Sequence, residues 1–169
     1  MKVKASTFYS HNLPSAADDD TIGELIKAAG NNSSGRSRKC LHLAHEDGVQ
    51  EMLNVFLGGH YLRPHRQMDR NKSYTILRGR MDILFFDESG GASEETRMAP
   101  PGSGLNFICR FNSSKWHTIR VKSELAVYIE TIQGPFRSDV TEFAEWAPGD
   151  DELKKVRDFQ EKWFGALED

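Results

Sequence analysis

The feature that most constrains the fold is a polar stretch between two glycines, Gly59 and Gly79. Its first part places Arg63, His65 and Gln67 at alternate positions. Alternate residues of a β-strand point to the same side, so these three side chains are predicted to share one face.

A short turn is predicted after this strand, through Asp69 and Asn71. Lys72, Tyr74 and Ile76 then alternate along the returning strand, from which they would face the first one. The stretch therefore predicts a hairpin that gathers more nitrogen and oxygen groups on one face than any other part of the chain. We expect the rest of the protein to be a barrel built around it.

Short runs of β-branched and aromatic residues recur along the chain, separated by turns rich in Gly, Pro, Asn and Ser. Residues 97–104 are predicted to form a loop because they contain two prolines and two glycines. Several short strands at regular spacing are typical of a closed sandwich or barrel, so the predicted fold is mainly β. The predicted strands are 49–57, 81–87, 105–111, 116–122 and 125–132.

Apolar residues at helical spacing predict one helix near each end of the chain. The chain is accordingly expected to have three parts: an N-terminal extension with a helix (1–37), a barrel (38–139), and a C-terminal segment and helix packed on the barrel (140–169). The first stripe is Ile22, Leu25, Ile26 and Ala29; the second is Leu153, Val156, Phe159, Trp163 and Phe164, preceded by Phe143, Trp146 and Pro148.

The composition excludes several classes of protein. A net charge of −3 gives no general attraction to nucleic acid or to an acidic membrane, and no apolar run is long enough for a signal sequence or a membrane span. The two cysteines, Cys40 and Cys109, suit neither a disulfide framework nor a zinc site and indicate a reducing compartment. We expect a cytoplasmic protein with no nucleic-acid or membrane partner.

The spacing of the polar stretch resembles the first motif of the cupin superfamily. That motif reads Gly, five residues, His, one residue, His, three or four residues, Glu, six residues, Gly. Here its positions fall on Gly59, His65, Gln67, Lys72 and Gly79.

The second cupin motif, Pro-x-Gly-x-x-His, falls on Asn112, Ser114 and His117. The spacing of both motifs is intact, whereas two of the four metal-ligand positions and both turn residues of the second motif are changed. The resemblance implies a double-stranded β-helix, that is, a jelly-roll barrel, with helices flanking it at the N- and C-terminal ends.

Further segments are similar to the WbuC family of small cupin-fold metalloproteins, over residues 38–150. That family is associated with gene clusters for bacterial surface polysaccharide (lipopolysaccharide O-antigen). The resemblance does not name a substrate; the expected ligand in the barrel mouth is a small polar or anionic molecule, such as one related to sugars. The similar segments are 38–42, 49–53, 61–66, 86–87, 116–118, 134–136 and 141–148.

Carried over position by position, the resemblance implies a divalent metal (Zn, Fe, Mn or Ni) held by His65, Gln67 and His117, with Lys72 at the fourth position. Neutral imidazole is a good ligand and an amide oxygen a weak one. An ammonium about 4 Å from the ion would cost about 4 kcal/mol per unit charge. A metal is then expected only if Lys72 turns away or loses its proton, or if a water or another donor such as Glu130 fills the position.

A metal-free pocket is the alternative. Arg63 and Lys72 would then line the barrel mouth with the histidines and bind a carboxylate or phosphate, while Tyr61 and Tyr74 contact a sugar ring. Metal-free cupins that modify sugar nucleotides use a His base and a Tyr acid, so an isomerase remains open. Arg63 is equally open to a structural role, paired with an acidic neighbour.

A third alternative is a non-catalytic interaction module on the same scaffold. Cupins commonly pair, and the aromatic residues of the C-terminal helix suit a contact between two copies. The expected partners are therefore a small-molecule ligand and a second copy of the chain in a homodimer.

Overall fold

A computed structural model of the chain, which describes residues 6–164, contains two β-sheets. Buried side chains from both sheets form one apolar cluster between them, so the sheets pack face to face as a jelly-roll barrel. The first sheet has the order β1 (Ser6–Tyr9), β2 (Arg36–Cys40), β3 (Val49–Leu57), β10 (Leu125–Gln133), β5 (Asn71–Arg78), β8 (Ile108–Asn112). The second has the order β11 (Thr141–Phe143), β4 (His65–Gln67), β9 (Trp116–Val121), β6 (Met81–Phe86), β7 (Ala92–Met98).

The alternation along each strand decides which side chains fill the barrel. In β6 every residue is buried, because one face turns into the barrel and the other packs under the C-terminal segment and helix. The mainly β fold that the sequence predicts is therefore confirmed. The inward residues form the main core: Phe56, Tyr74, Ile76, Met81, Ile83, Phe85, Met98, Ile119, Ala126 and Tyr128.

Helix α1 (Asp19–Gly30) covers the outer face of the first sheet. Its Leu25 and Ala29 pack against Leu53, Val55 and Val127, the outward residues of two central strands. The helix begins after Asp18, whose carboxylate accepts a hydrogen bond from the Thr21 amide at 2.9 Å. The apolar stripe predicted for this helix is confirmed.

Helix α2 (Leu153–Phe164) and the segment before it cover the outer face of the second sheet. Phe159 and Trp163 pack near Phe86 and Trp146 of the same chain, with ring centroids 5.9 to 6.5 Å apart. These aromatic side chains are thus used within the chain, and the homodimer stays a prediction.

The predicted hairpin is wrong. Strand β4 belongs to the second sheet and pairs with β9 and β11, whereas β5 belongs to the first sheet. The turn between them, in which Asp69 has a φ of 56°, carries the chain from one sheet to the other. Residues of the two strands consequently face one another across the barrel, and Arg63 lies before β4 rather than on it.

The other differences lie at the sheet edges. β7 is a strand that the sequence did not predict, because its residues are largely exposed and polar; β8 begins at Ile108, three residues later than expected. Residues Ser6–Tyr9 also extend the first sheet by pairing in parallel with β2. Residues 1–5 and 165–169 of the predicted terminal parts lie outside the described range, as does the side chain of Phe164.

Among residues 6–164, neither helix is long and apolar enough to cross a membrane.

The turn at Gly79 packs closely against the end of β10, and substitutions there test this packing. Gly79 has a φ of 82°, and a Cβ atom there would clash with the backbone oxygen of Leu125. Gly102 has a similar φ of 89° but open space around it. We expect Gly102→Ala to cost about 1 kcal/mol of unfolding free energy and Gly79→Ala at least about 3 kcal/mol. Urea unfolding followed by tryptophan fluorescence measures both, and equal costs would contradict the clash.

Candidate functional site

The barrel interior changes from apolar to polar along its length. On β5 the inward residues run from Ile76 through Tyr74 to Lys72, and on β10 the inward Tyr128 is followed by Glu130. On β9 the inward Ile119 is preceded by His117. The inward ionisable groups of these three strands therefore lie at one end of the barrel.

Two histidines meet at this polar end. His65 on β4 is the register partner of His117 on β9, and their ring centroids are 4.6 Å apart. Only 9% of His65 is exposed, and His117 is fully buried. The prediction that these two imidazoles come together is thus confirmed, although they lie 52 positions apart in the sequence.

Backbone carbonyls set the tautomer of both rings. Nδ1 of His65 lies 3.1 Å from the carbonyl oxygen of Arg63, and Nδ1 of His117 lies 2.8 Å from that of Lys115. Because a carbonyl can only accept, Nδ1 carries the proton in each ring and donates it. The Nε2 atoms are left as acceptors that point away from these carbonyls.

A buried ion pair lies beside the histidines. The ammonium of Lys72, of which 2% is exposed, lies 2.9 Å from a carboxylate oxygen of Glu130 and donates to Nε2 of His117 at 3.4 Å. Removing one partner of a buried pair leaves an uncompensated charge, which typically costs about 3 to 5 kcal/mol. Lys72 therefore holds His117 and Glu130 together.

This surrounding keeps both imidazoles neutral. Burial, reinforced by the positive charge of Lys72, lowers the pKa of His65 to about 4 and the pKa of His117 well below its usual value. Burial alone would raise the pKa of Glu130, but the charge of Lys72 and its hydrogen bond bring that pKa below its usual value. At neutral pH the cluster consists of two neutral rings and one compensated ion pair.

The residues at the implied metal position do not fit a divalent ion in this arrangement. One of the two imidazole acceptors is already bound by an ammonium, and the ammonium itself repels a cation. Among residues 6–164, no three His, Cys, Asp or Glu side chains come together in a group that could hold a metal ion. The metal stays a prediction that the geometry does not favour.

Gln67 lies two residues from His65 on the same face of β4. Its amide nitrogen donates to the hydroxyl of Thr141 on the neighbouring strand at 3.2 Å. Its Oε1 is buried and has no hydrogen-bond partner among the described residues. Gln67 therefore forms a hydrogen bond through its amide nitrogen, and its amide oxygen remains an unpaired acceptor among the described residues.

Two other residues proposed from the sequence, Arg63 and Tyr61, take part in internal contacts. The guanidinium of Arg63 donates twice to the carbonyl of Ala144, at 2.7 and 3.2 Å, and so has the structural role that the sequence left open, with a carbonyl instead of an acidic side chain as its partner. The hydroxyl of Tyr61 donates to the carbonyl of Pro148 at 3.1 Å. Both contacts hold the C-terminal segment on the barrel.

Tyr74 does lie inside the barrel, next to the cluster. It is buried, packs edge-on against Tyr128 at 5.4 Å between ring centroids, and lies 5.6 Å from the ammonium of Lys72. Burial raises its pKa, so its hydroxyl is protonated at neutral pH.

The sequence reasoning missed inward polar residues on the strands beside the cluster. Arg38 of β2 and Asn54 of β3 are register partners, and the charge of Arg38 helps to lower the pKa of Glu130. The sequence predicts Glu130 only as an alternative metal ligand. Alternation along 50–56 and 126–132 could have found Asn54 and Glu130, because both lie at even positions with the core residues Phe56 and Tyr128.

Two surface clefts lie outside the barrel core, and the smaller one reaches Lys72 of the cluster. One, of about 320 Å³, borders α2; the other, of about 230 Å³, is lined by Lys72, Arg110 and the neighbouring ends of β3 and β10. Neither is lined by His65 or His117. Of the cluster residues, Lys72 lines the smaller cleft and His65 is 9% exposed.

Comparisons with known proteins agree with this architecture. A family model described as a domain of unknown function (DUF6016) matches residues 17–98. A search of curated proteins finds no match.

Among solved structures, the protein SO0799 from Shewanella oneidensis superposes with a TM-score of 0.58 at 10% identity, over 83% of this chain and 98% of that one. The structure of CapF with the inhibitor 3-isopropenyl-tropolone superposes with a TM-score of 0.50 at 18% identity, over 65% of this chain and 31% of that one. At such identities the likeness shows the fold alone, which is the cupin jelly roll with flanking helices. None of these matches tests the resemblance to the WbuC family, which stays a prediction.

The lowered pKa of His65 predicts a loss of stability in mild acid. The pKa of His65 is about 4 in the folded chain and 6.5 for an ordinary histidine, so folding favours the neutral ring. The stability that the neutral ring contributes is complete above about pH 6.5 and is lost as the pH falls toward 4. Between pH 7.5 and 5, the unfolding free energy of the wild type should fall by about 2 kcal/mol more than that of His65→Gln, because glutamine does not titrate. Urea titrations at each pH measure this difference.

His11→Gln is the matched control, because His11 is exposed and far from the barrel in sequence. It should follow the wild-type profile. A His65→Gln profile as steep as that of the wild type would show that His65 is not held neutral.

Proposed function

We propose that this protein is a metal-independent cupin that binds a small hydroxylated molecule at the polar end of its barrel. The observation that carries the proposal is the position of Lys72, whose ammonium is paired with Glu130 and donates to Nε2 of His117. An ammonium at a cupin metal-ligand position repels a divalent ion, and its own charge is compensated by Glu130.

The acceptors at the barrel mouth support a ligand that donates hydrogen bonds. Of the described residues, none occupies Nε2 of His65 or Oε1 of Gln67, and both residues lie on the same face of β4. Both atoms can only accept, because His65 carries its proton on Nδ1 and an amide oxygen has none. Hydroxyl groups on adjacent carbons of a ligand supply two such donors.

Charge balance favours a neutral ligand over the anion that the sequence also allowed. The positive charge of Lys72 is compensated by Glu130, and the guanidinium of Arg63 is bound to a backbone carbonyl. Neither of these two charges is therefore free to bind an anion.

An aromatic ring beside these acceptors suits a sugar. Phe143 is half-exposed, and its ring centroid lies 6.1 Å from that of His65. Sugars present an apolar face that packs on aromatic rings and hydroxyls that hydrogen-bond at their edges. The resemblance to the WbuC family, with its association with surface polysaccharides, points to the same class of ligand.

Metal content tests the first half of the proposal. Protein purified without chelator should contain only trace Zn, Fe, Mn or Ni, because Lys72 repels a divalent ion. The double variant Gln67→His and Lys72→Glu should take up metal, since it replaces the amide and the ammonium by an imidazole and a carboxylate. Elemental analysis by mass spectrometry measures both.

Lys154→Glu is the control, because it reverses the charge of an exposed lysine on α2. It should stay free of metal. A stoichiometric metal in the wild type would overturn metal independence, whether or not the double variant folds.

Ligand binding tests the second half. A panel of neutral monosaccharides and polyols is screened by thermal shift and followed by calorimetry. Gln67→Met removes the free amide oxygen but keeps the length of the side chain. It should weaken about tenfold the binding of any sugar or polyol that the screen identifies. Gln133→Met, an exposed glutamine at the end of β10, should leave the affinity unchanged. Equal affinity for both variants, or no binding by any neutral sugar, would reject the proposed site.

A further inference from the structure

The larger surface cleft lies apart from the barrel mouth. It has a volume of about 320 Å³ and lies between the C-terminal helix and the strand β2 with its preceding turn. This volume is at the lower end of the range for small-molecule sites and corresponds to a ligand of monosaccharide size. The residues that matter for its chemistry are Arg36, Tyr61, Asp150, Leu153, Val156 and Arg157.

Two residues that line the cleft each carry a buried polar atom that the rest of the described chain leaves unpaired. Nε of Arg36 is buried and has no hydrogen-bond partner among residues 6–164, and the same holds for Oδ1 of Asp150. Buried polar atoms are nearly always paired, so an unpaired donor and an unpaired acceptor on two residues of one cleft are unusual. No salt bridge joins Arg36 and Asp150 among the described residues; burial lowers the pKa of Arg36, and the charge of Asp150 opposes that shift.

The position of Arg36 explains why its guanidinium is held in place without a polar partner. Its Cζ lies 5.5 Å from the centroid of the Phe56 ring, so the side chain is packed on the barrel core. Phe56 is fully buried and is the register partner of Arg36 on the neighbouring strand. A packed guanidinium loses little freedom on binding, which favours recognition of an anion.

The opposite wall is held by the C-terminal segment. Tyr61, which lines the cleft, donates its hydroxyl to the carbonyl of Pro148, two residues before Asp150. Leu153 and Val156 of α2 add apolar surface, and Leu153 is largely exposed. The cleft therefore combines charged groups with an apolar side, as small-molecule sites do.

We propose that this cleft binds a small anion that carries hydroxyl groups. Arg36 and the exposed Arg157 outnumber Asp150 and attract a carboxylate or phosphate, which accepts from the guanidinium groups. A hydroxyl of the same ligand donates to Oδ1 of Asp150, an atom that would repel a simple anion. This site is independent of the proposed neutral ligand at the barrel mouth.

Calorimetry with defined probes tests the site. D-gluconate represents a hydroxylated carboxylate and glucose 1-phosphate a hydroxylated phosphate; acetate, inorganic phosphate and glucose are the matched probes that lack one of the two features. We expect at least one hydroxylated anion to bind at least tenfold more tightly than its matched simple anion and than glucose, and the better of the two identifies the anionic group.

Substitutions locate the binding. Arg36→Met should weaken the hydroxylated anion about tenfold or more, because one charge-assisted hydrogen bond is lost. Arg110→Met removes the same charge from the other cleft and should have no effect. Asp150→Asn should reduce the preference over the simple anion. Arg157→Gln, at an exposed position of α2, repeats the test if Arg36→Met does not fold.

Three results would overturn the inference. One is the absence of binding by both hydroxylated anions, and another is equal binding of the simple anions. The third is that Arg36→Met and Arg110→Met change the affinity for the hydroxylated anion equally. If Arg36→Met is unfolded, the same comparison is made between Arg157→Gln and Arg110→Met. Gln67→Met should not alter the affinity of these anions, so a failure here is distinguishable from a failure at the barrel mouth.

Discussion

The pairing of Lys72 with Glu130 inside the barrel is the interaction on which the polar end depends. A lysine that is almost fully buried stays charged only where an opposite charge and an acceptor lie within reach, and here Glu130 and Nε2 of His117 supply them. The positive charge in turn helps to keep both imidazoles neutral. The tautomers, the ionisation states and the poor fit to a divalent ion are therefore consequences of the same contact.

The two helices make this arrangement possible by covering the outer faces of the sheets. α1 buries the outward residues of the first sheet, and the C-terminal segment with α2 buries those of the second. The central strands are consequently buried on both faces, and besides the polar end the buried charges include the pair of Asp82 with Arg120 on the outer face of the second sheet. The C-terminal segment has another role as well, because its contacts with Arg63 and Tyr61 build one wall of the cleft that holds Arg36 and Asp150.

Strong local signals were sufficient to predict much of the fold. The strands at 49–57 and 116–122 and both helices follow from apolar spacing and turn residues. The cupin spacing was enough to predict that His65 and His117 lie side by side. The exposed edge strand β7 gave no such signal, because an edge strand need not bury either face. The hairpin prediction failed for another reason: a tight turn joins strands equally well within one sheet or between two, and only the pairing of β4 with β9 distinguishes them.

By itself, the sequence determined the class of fold, the alternation that sends Lys72 and Glu130 inward, and the polar residue types available at the barrel mouth. Those properties depend on residue type and spacing, which are local. Only the tertiary structure decided which groups are consumed by internal contacts and which remain available. Arg63 and Tyr61 looked like ligand-binding residues but are bound to carbonyls that lie more than 80 positions away in the chain. Arg36 carried no signal in the sequence, yet packing left its Nε without a described partner, because long-range contacts determine where each hydrogen bond is made.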